Sequence, residues 1–158
     1  DKYPYFNESK PSISVAVADE FEDFAHDKCQ RYILAAPKFK WEDNRIGAST
    51  PPIKIGDKEW LLCYHGKQDD TVGYTQSFMI LKETGGRLEI ISRPKERLIT
   101  VACDWEMPRK FKTPCIFFDG MIKVGDELIL SYGAADTVVA LAYTTVQELI
   151  EFTKENSL

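Results

Sequence analysis

One hairpin pattern is written twice in this chain, and it narrows the possible folds more than any other feature. The first copy is Ile53-Lys54-Ile55-Gly56-Asp57-Lys58-Glu59-Trp60-Leu61-Leu62-Cys63-Tyr64-His65-Gly66. The second is Ile122-Lys123-Val124-Gly125-Asp126-Glu127-Leu128-Ile129-Leu130-Ser131-Tyr132-Gly133, with its turn glycine 69 residues further on, Gly125 against Gly56. Each reads as strand, Gly-Asp turn, strand. Glycine supplies the positive φ of a tight hairpin, and the flanks are β-branched or aromatic. Each copy is preceded by Thr-Pro, at Thr50-Pro51 and Thr113-Pro114, and followed by an apolar run, Tyr74 to Leu81 or Val138 to Tyr143. A third such run, Ile13 to Ala18, has no hairpin before it and reads as the end of a further unit.

Each unit is thus a meander of three or four strands, and repeated meanders suggest propeller blades. A sandwich also fits short, regularly spaced strands. The near-continuous apolar content of Trp60–Tyr64 and Val138–Tyr143 favours the propeller, because strands between neighbouring blades are covered on both faces. The expected fold class is all-β, with blade remnant 1–40, blade 45–92 and blade 112–158. One short C-terminal helix is expected, capped by Thr144 with Gln147 completing a capping box. Val146, Leu149 and Ile150 form its apolar stripe. Propellers close with about four blades or more, so two and a half cannot close one.

The chain has 158 residues and a net charge of −5, which gives nucleic acid little to bind. Lys38, Lys40, Arg109, Lys110 and Lys112 lie among aromatics but are few. No apolar run is long enough for a membrane helix. The start, Asp1-Lys2-Tyr3-Pro4, shows no signal-peptide pattern. Cys29, Cys63, Cys103 and Cys115 are too far apart for a zinc knuckle or redox pair, and read as free thiols. These features lead to the expectation of a cytoplasmic protein.

Chemistry-bearing residues are sparse. There is no phosphate-binding glycine loop and no dinucleotide fingerprint. Asp69-Asp70 reads as a solvated turn, and Glu20-Phe21-Glu22-Asp23-Phe24 as a charged surface with two aromatic plugs. His26 is expected at the surface. His65 ends an apolar strand, and Gly66 beside it lets backbone or ligand approach. The segment Trp41 to Pro52 is a stiff polar loop with groups that bind anions. Ser131-Tyr132-Gly133-Ala134-Ala135-Asp136-Thr137 sets an Asp between apolar strands, which is costly unless that Asp is hydrogen-bonded or serves a ligand.

Ile46-Gly47-Ala48, Pro51-Pro52-Ile53, Trp60-Leu61-Leu62, Tyr64-His65-Gly66 and Tyr132-Gly133-Ala134-Ala135-Asp136-Thr137 together resemble glycoside hydrolase family 130, the β-mannoside phosphorylases and their hydrolytic relatives. The likeness runs from Arg45 to about Phe152. It implies the C-terminal half of a five-bladed propeller whose site lies on the central axis. It further implies an inverting transfer of a mannosyl group from a β-mannoside to inorganic phosphate, without metal or organic cofactor. By position, Arg45, His65 and Tyr132 would bind phosphate, and Asp136 and Tyr64 the sugar. The catalytic general acid of the family lies in the other half, so no catalytic acid is assigned here. The partners implied are a β-mannoside oligosaccharide, phosphate, and either the N-terminal propeller half or a second copy. This sequence departs from the family with Arg45 for the commoner Lys, Ser49-Thr50 for Gly-Pro, Ser131 for a second Tyr, and Tyr74-Thr75-Gln76-Ser77 for a Tyr-Arg strand. A β-mannoside hydrolase and a non-catalytic carbohydrate-binding half-propeller are the alternatives.

Overall fold

The structure, a computed structural model, describes residues 10–26, 28–108, 110 and 112–157. Arg109 and the first nine residues of the expected blade remnant lie outside the described residues. Among the described residues, ten strands form three antiparallel sheets. The first pairs β1 (Ile13–Val17) with β2 (Gln30–Ala35). The central sheet holds β3 (Arg45–Ala48), β4 (Ile53–Gly56), β5 (Glu59–Lys67), β6 (Tyr74–Thr84) and β7 (Arg87–Ser92). Within it, β3 and β4 pair with successive stretches of β5. The third sheet is β8 (Ile116–Val124), β9 (Glu127–Ala134) and β10 (Val138–Thr145) in meander order, followed by helix α1 (Val146–Glu155).

The central strands β5 and β6 are covered on both faces, as a blade between neighbours should be. Leu61, Cys63, Phe78 and Ile80 join a core with Ile116, Phe118, Leu128, Leu130 and α1 residues Val146 and Leu149. Their neighbours in sequence, Leu62, Tyr64, Met79 and Leu81, point the other way and pack with Ile13, Ala35, Trp41 and Ile46. Alternation along each strand divides one apolar run between two cores. By contrast β10 is bare on one side, with Val139 81%, Leu141 55% and Tyr143 70% exposed. The expectation of two-sided burial for Val138–Tyr143 therefore does not hold within this chain.

Three further local expectations are corrected. In the first hairpin the positive φ falls on Lys58 (55°), because the turn lies one step beyond Gly56; in the second it falls on Gly125 (65°) as expected. The helix cap is Thr145 rather than Thr144, since β10 continues to Thr145, which pairs with Glu127. Thr145 Oγ1 accepts from the Glu148 amide, and the Glu148 carboxylate accepts from the Thr145 amide, so the box partner is Glu148 and not Gln147. Finally, Phe21 and Phe24 are not plugs. They lie on a short 3-10 turn, 83% and 41% exposed, edge-on to each other.

A second internal repeat emerges that matters more than the hairpin turns. Trp41-Glu42 and Trp105-Glu106 each end a 3-10 turn, Lys40–Glu42 and Asp104–Glu106. The Glu42 carboxylate accepts from the amides of Lys38 and Phe39 at 2.7 and 3.0 Å and from the Tyr64 hydroxyl at 3.0 Å. Glu106 accepts from the amides of Ala102 and Cys103 at 2.7 and 2.8 Å and from the Tyr132 hydroxyl at 2.8 Å. Each carboxylate staples the turn before a blade to a strand inside it. In the first blade Arg93 completes the cluster, donating to both Glu42 oxygens at 2.8 and 2.7 Å. Removing one partner of a buried, hydrogen-bonded ion pair leaves the other uncompensated, which costs about 3–5 kcal/mol. Glu42→Ala is accordingly expected to lower unfolding free energy by about that much in urea titrations, whereas Asp43→Ala, on the exposed neighbour, should change it by less than about 0.5 kcal/mol.

Candidate functional site

A cavity of about 280 Å³ opens where strand ends of the second and third sheets meet, lined by Arg45, His65, Tyr74, Cys115, Phe117 and Asp136. All six come from one end of the stacked sheets: the start of β3, the end of β5, the starts of β6 and β8, and the β9–β10 turn. The two sheets are tied together there. The Tyr74 amide donates to the Pro114 carbonyl at 2.9 Å, and a Cβ on Gly73 (φ 74°) would stand 1.9 Å from that same oxygen. Only glycine admits this approach.

Three of the sequence-predicted residues, Arg45, His65 and Asp136, are brought together here. Tyr64 and Tyr132 are not. Tyr64 is fully buried on the opposite face of β5 from His65, with its hydroxyl committed to Glu42 and 3.5 Å from Arg93 Nε. Burial and the Glu42 charge push its phenol far above the usual range. Tyr132 packs edge-on to Phe118 in the core, and its hydroxyl serves Glu106. Both tyrosines are blade staples. The paired Trp-Glu steps, Glu42 and Glu106, were the sequence signal that distinguishes this role.

Gly66 also has a different task from the one expected. A Cβ there would meet Trp41 Cε3 at 2.5 Å, so the glycine admits the buried indole and not a ligand. The glycine that serves the cavity is Gly47, cross-strand from His65, where a Cβ would stand 2.5 Å from His65 Cε1 and 2.7 Å from Nε2. The imidazole thus lies against the β3 backbone, flanked by Phe117 and Tyr74 at centroid distances of 4.5 and 5.8 Å. Burial, and secondarily the Arg45 charge, lower its pKa to about 4.

Behind His65 stand two residues that the sequence marks only as departures from the family pattern and to which it assigns no role of their own. Its Nδ1 lies 3.2 Å from Ser49 Oγ, and Ser49 Oγ donates to Gln76 Oε1 at 2.8 Å. Gln76 is fully buried and pairs with His65 across β5 and β6. Asp136 sits on the rim, exposed, so the desolvation argument for it does not apply. Its conformation is unusual instead. Ala135 and Asp136 both lie in the left-handed region, φ 51° and 48°, within the three-residue β9–β10 connection, a backbone conformation that glycine and asparagine favour. Cys115 Sγ lies 3.9 Å from Asp136 Oδ1, and burial, then that carboxylate, push the thiol up to about 11. It is a protonated wall residue at neutral pH.

Asp69 and Asp70 form the expected solvated turn. Asp69 accepts from the amides of Thr71 and Val72, and Asp70 pairs with Lys67 at 2.6 Å. A larger cleft of about 560 Å³ between Phe39–Trp41 and Lys95–Arg97 contains none of the predicted site residues. Among the described residues no cluster of three metal-ligating side chains occurs, and no helix is long and apolar enough to cross a membrane.

Stacked antiparallel blades with a polar cavity at their common end define part of a β-propeller. The chain belongs to glycoside hydrolase family 130: the family described as beta-1,4-mannooligosaccharide phosphorylase matches residues 2–155. It is 28% identical over 148 residues to the 1,2-beta-oligomannan phosphorylase of Thermoanaerobacter sp. (strain X514), covering 94% of this chain and 48% of that one. With the beta-1,2-mannobiose phosphorylase of the same strain the identity is 33% over 141 residues, covering 89% and 44%. The solved beta-1,2-mannobiose phosphorylase of Listeria innocua, in complex with beta-1,2-mannobiose, superimposes with a TM-score of 0.67 at 23% identity, covering 78% of this chain and 34% of that one. The fold is therefore part of a five-bladed propeller, and the chain spans about half the length of the curated relatives it matches.

Two outcomes follow from the geometry around His65. Gly47→Ala should displace the imidazole, costing about 1–3 kcal/mol of stability through overpacking, read from urea titrations. A histidine held neutral in the fold binds its proton more readily once unfolded. Its contribution to stability is present above about pH 6.5 and is lost as pH falls towards 4. Melting temperature followed from pH 7 to pH 4.5 should fall less steeply in His65→Gln, which lacks that titration, than in the parent.

Proposed function

We propose that this chain supplies the ligand-holding part of a phosphorylase that transfers a mannosyl group from a β-mannoside to inorganic phosphate. The observation that carries the reading is the convergence of Arg45, His65 and Asp136 in one cavity, alongside relatives named as mannoside phosphorylases. Arg45 presents a permanently charged, multi-donor group suited to a phosphate oxygen. Asp136, exposed at the rim, can accept hydrogen bonds from sugar hydroxyls. An inverting displacement needs the attacking phosphate fixed on the face of the sugar opposite the leaving group. A cation carried at a strand end, beside rigid strand ends that line the cavity, would hold the phosphate there. Phosphate is the only co-substrate this reading requires. The four free thiols fit a reducing compartment such as the cytoplasm.

The proton donor for the leaving sugar is proposed to come from the other half of the propeller. The bare face of β10 supports that partner: Val139, Leu141 and Tyr143, with Ile122 and Val124 on β8, present an apolar sheet surface where a further blade would pack. A second copy of this chain is the competing occupant.

The test uses the intact protein, weighed by native mass spectrometry and incubated with a β-mannobiose with and without phosphate. The expected product is mannose 1-phosphate, formed only with phosphate, and Arg45→Ala should reduce its rate about a hundredfold or more. Free mannose formed equally in both conditions would establish the hydrolase instead. Binding of the sugar with no turnover, in a species built of 18.1 kDa chains alone, would overturn the enzyme reading.

A further inference from the structure

Resting on the phosphate reading of this cavity, we propose that the hydrogen-bonded Ser49–Gln76 pair holds the proton of His65 on Nδ1, so that Nε2 offers a lone pair and the site prefers an anion that carries its own hydroxyl, a protonated phosphate, over one that carries none, such as sulfate.

The argument begins at Ile116. Its carbonyl can only accept, and Gln76 Nε2 lies 2.7 Å from it, so the Gln76 amide is oriented with its NH2 there. Gln76 Oε1 then faces Ser49 Oγ at 2.8 Å and can only accept, so Ser49 must donate to it. A hydroxyl has one proton. The Ser49 oxygen that meets His65 Nδ1 at 3.2 Å therefore presents a lone pair, and Nδ1 must carry the hydrogen. Cys63 Sγ also reaches Gln76 Oε1, at 3.7 Å, but a thiol is a weak donor, and two oxygens 2.8 Å apart need a proton between them, so the Ser49 hydrogen stays on that contact. The backbone of Gln76 is held as firmly. Its N–H donates to the Ile99 carbonyl, and its carbonyl accepts from Leu98 and Ile99.

Among the described residues none hydrogen-bonds to His65 Nε2, and the ring lines the cavity with Arg45 and Asp136. The low pKa of His65, about 4, keeps the second proton off at neutral pH. The cavity thus combines one cation with two acceptors, the imidazole nitrogen and the Asp136 carboxylate. Sulfate would satisfy Arg45 but would set an oxygen lone pair against Nε2. Phosphate near neutral pH still carries a hydroxyl and can donate it. A sugar hydroxyl has the same donor chemistry, so the two sources must be separated by experiment. Sites built around a ligand's donor reject analogues that lack it.

The experiment is performed on the intact protein labelled with nitrogen-15 in histidine, with His26→Gln used to assign the His65 signals. Long-range proton–nitrogen spectra at pH 7 should show a protonated Nδ1 and an unprotonated Nε2. Phosphate should move the Nε2 resonance and bind at least about tenfold more tightly than sulfate. In Ser49→Ala, which removes the acceptor but leaves Arg45 and the His65 ring, the spectrum should show mixed tautomers and the anion preference should fall below about threefold. A parent spectrum with the proton on Nε2 overturns the proposal. So does equal affinity for the two anions, or a preference undiminished in Ser49→Ala. The expected tautomer with binding of neither anion overturns the phosphate reading while the Ser49–Gln76 assignment stands. An Nε2 shift produced by mannose alone and not by phosphate assigns the donor to a sugar hydroxyl and overturns the anion preference.

Discussion

The buried carboxylate of Glu42 is the contact on which the rest of the arrangement depends. It closes the turn before the central blade through the amides of Lys38 and Phe39, and it fixes Tyr64 and Arg93 from two other segments. A charge taken fully out of water is tolerated only with such complete compensation. The turn that it closes carries Trp41, whose ring lies on Gly66. With Tyr64 and Gly66 held on one face of β5, the pleat directs the residue between them, His65, to the other. A staple on the outer side of the strand thereby sets the position of a cavity-lining side chain on the inner side.

The same device recurs one blade later, with Glu106 and Tyr132 in place of Glu42 and Tyr64. There no arginine among the described residues joins it, and Trp105 remains 46% exposed where Trp41 is buried. Propeller blades are covered by their successors. The central blade is closed over by β8 to α1, and α1 is tied back to it by the bond from Ser92 Oγ to the Thr153 carbonyl and from the Lys95 amide to the Asn156 carbonyl. No described segment covers the outer face of β10. The apolar residues left there are the mirror of those the central blade buries, which is why the sequence of β10 reads like an interior strand while its side chains meet solvent.

The cavity gains its character from imbalance. Strand ends supply aromatic walls, Tyr74 and Phe117, that stiffen the imidazole, while its hydrogen-bonding groups are few and of different kinds. Arg45 is a donor only. Asp136 is an acceptor, held on a turn whose left-handed backbone a glycine would adopt with less strain. Such conformations persist at positions where the side chain is worth more than the relaxed backbone. Ser49 and Gln76 lie behind the wall and decide what His65 can offer.

The sequence by itself determined the hairpin repeat, the family, and the candidacy of Arg45, His65 and Asp136. These follow from local pattern: turn residues set hairpins, apolar runs set buried strands, and short motifs survive as contiguous words. What only the tertiary structure decided concerns residues far apart in the chain. Tyr64 and His65 are adjacent letters, yet the two-residue period of a strand sends one to a staple and the other to the cavity, and which face is which depends on the neighbouring sheets. Tyr132 was drawn away from the site by Glu106, 26 residues distant. Gln76 reaches His65 through the register of β5 on β6, and through Ser49 on the approach to β4. No single segment encodes that bond network, because the proton it positions belongs to groups that meet only after the sheet has formed.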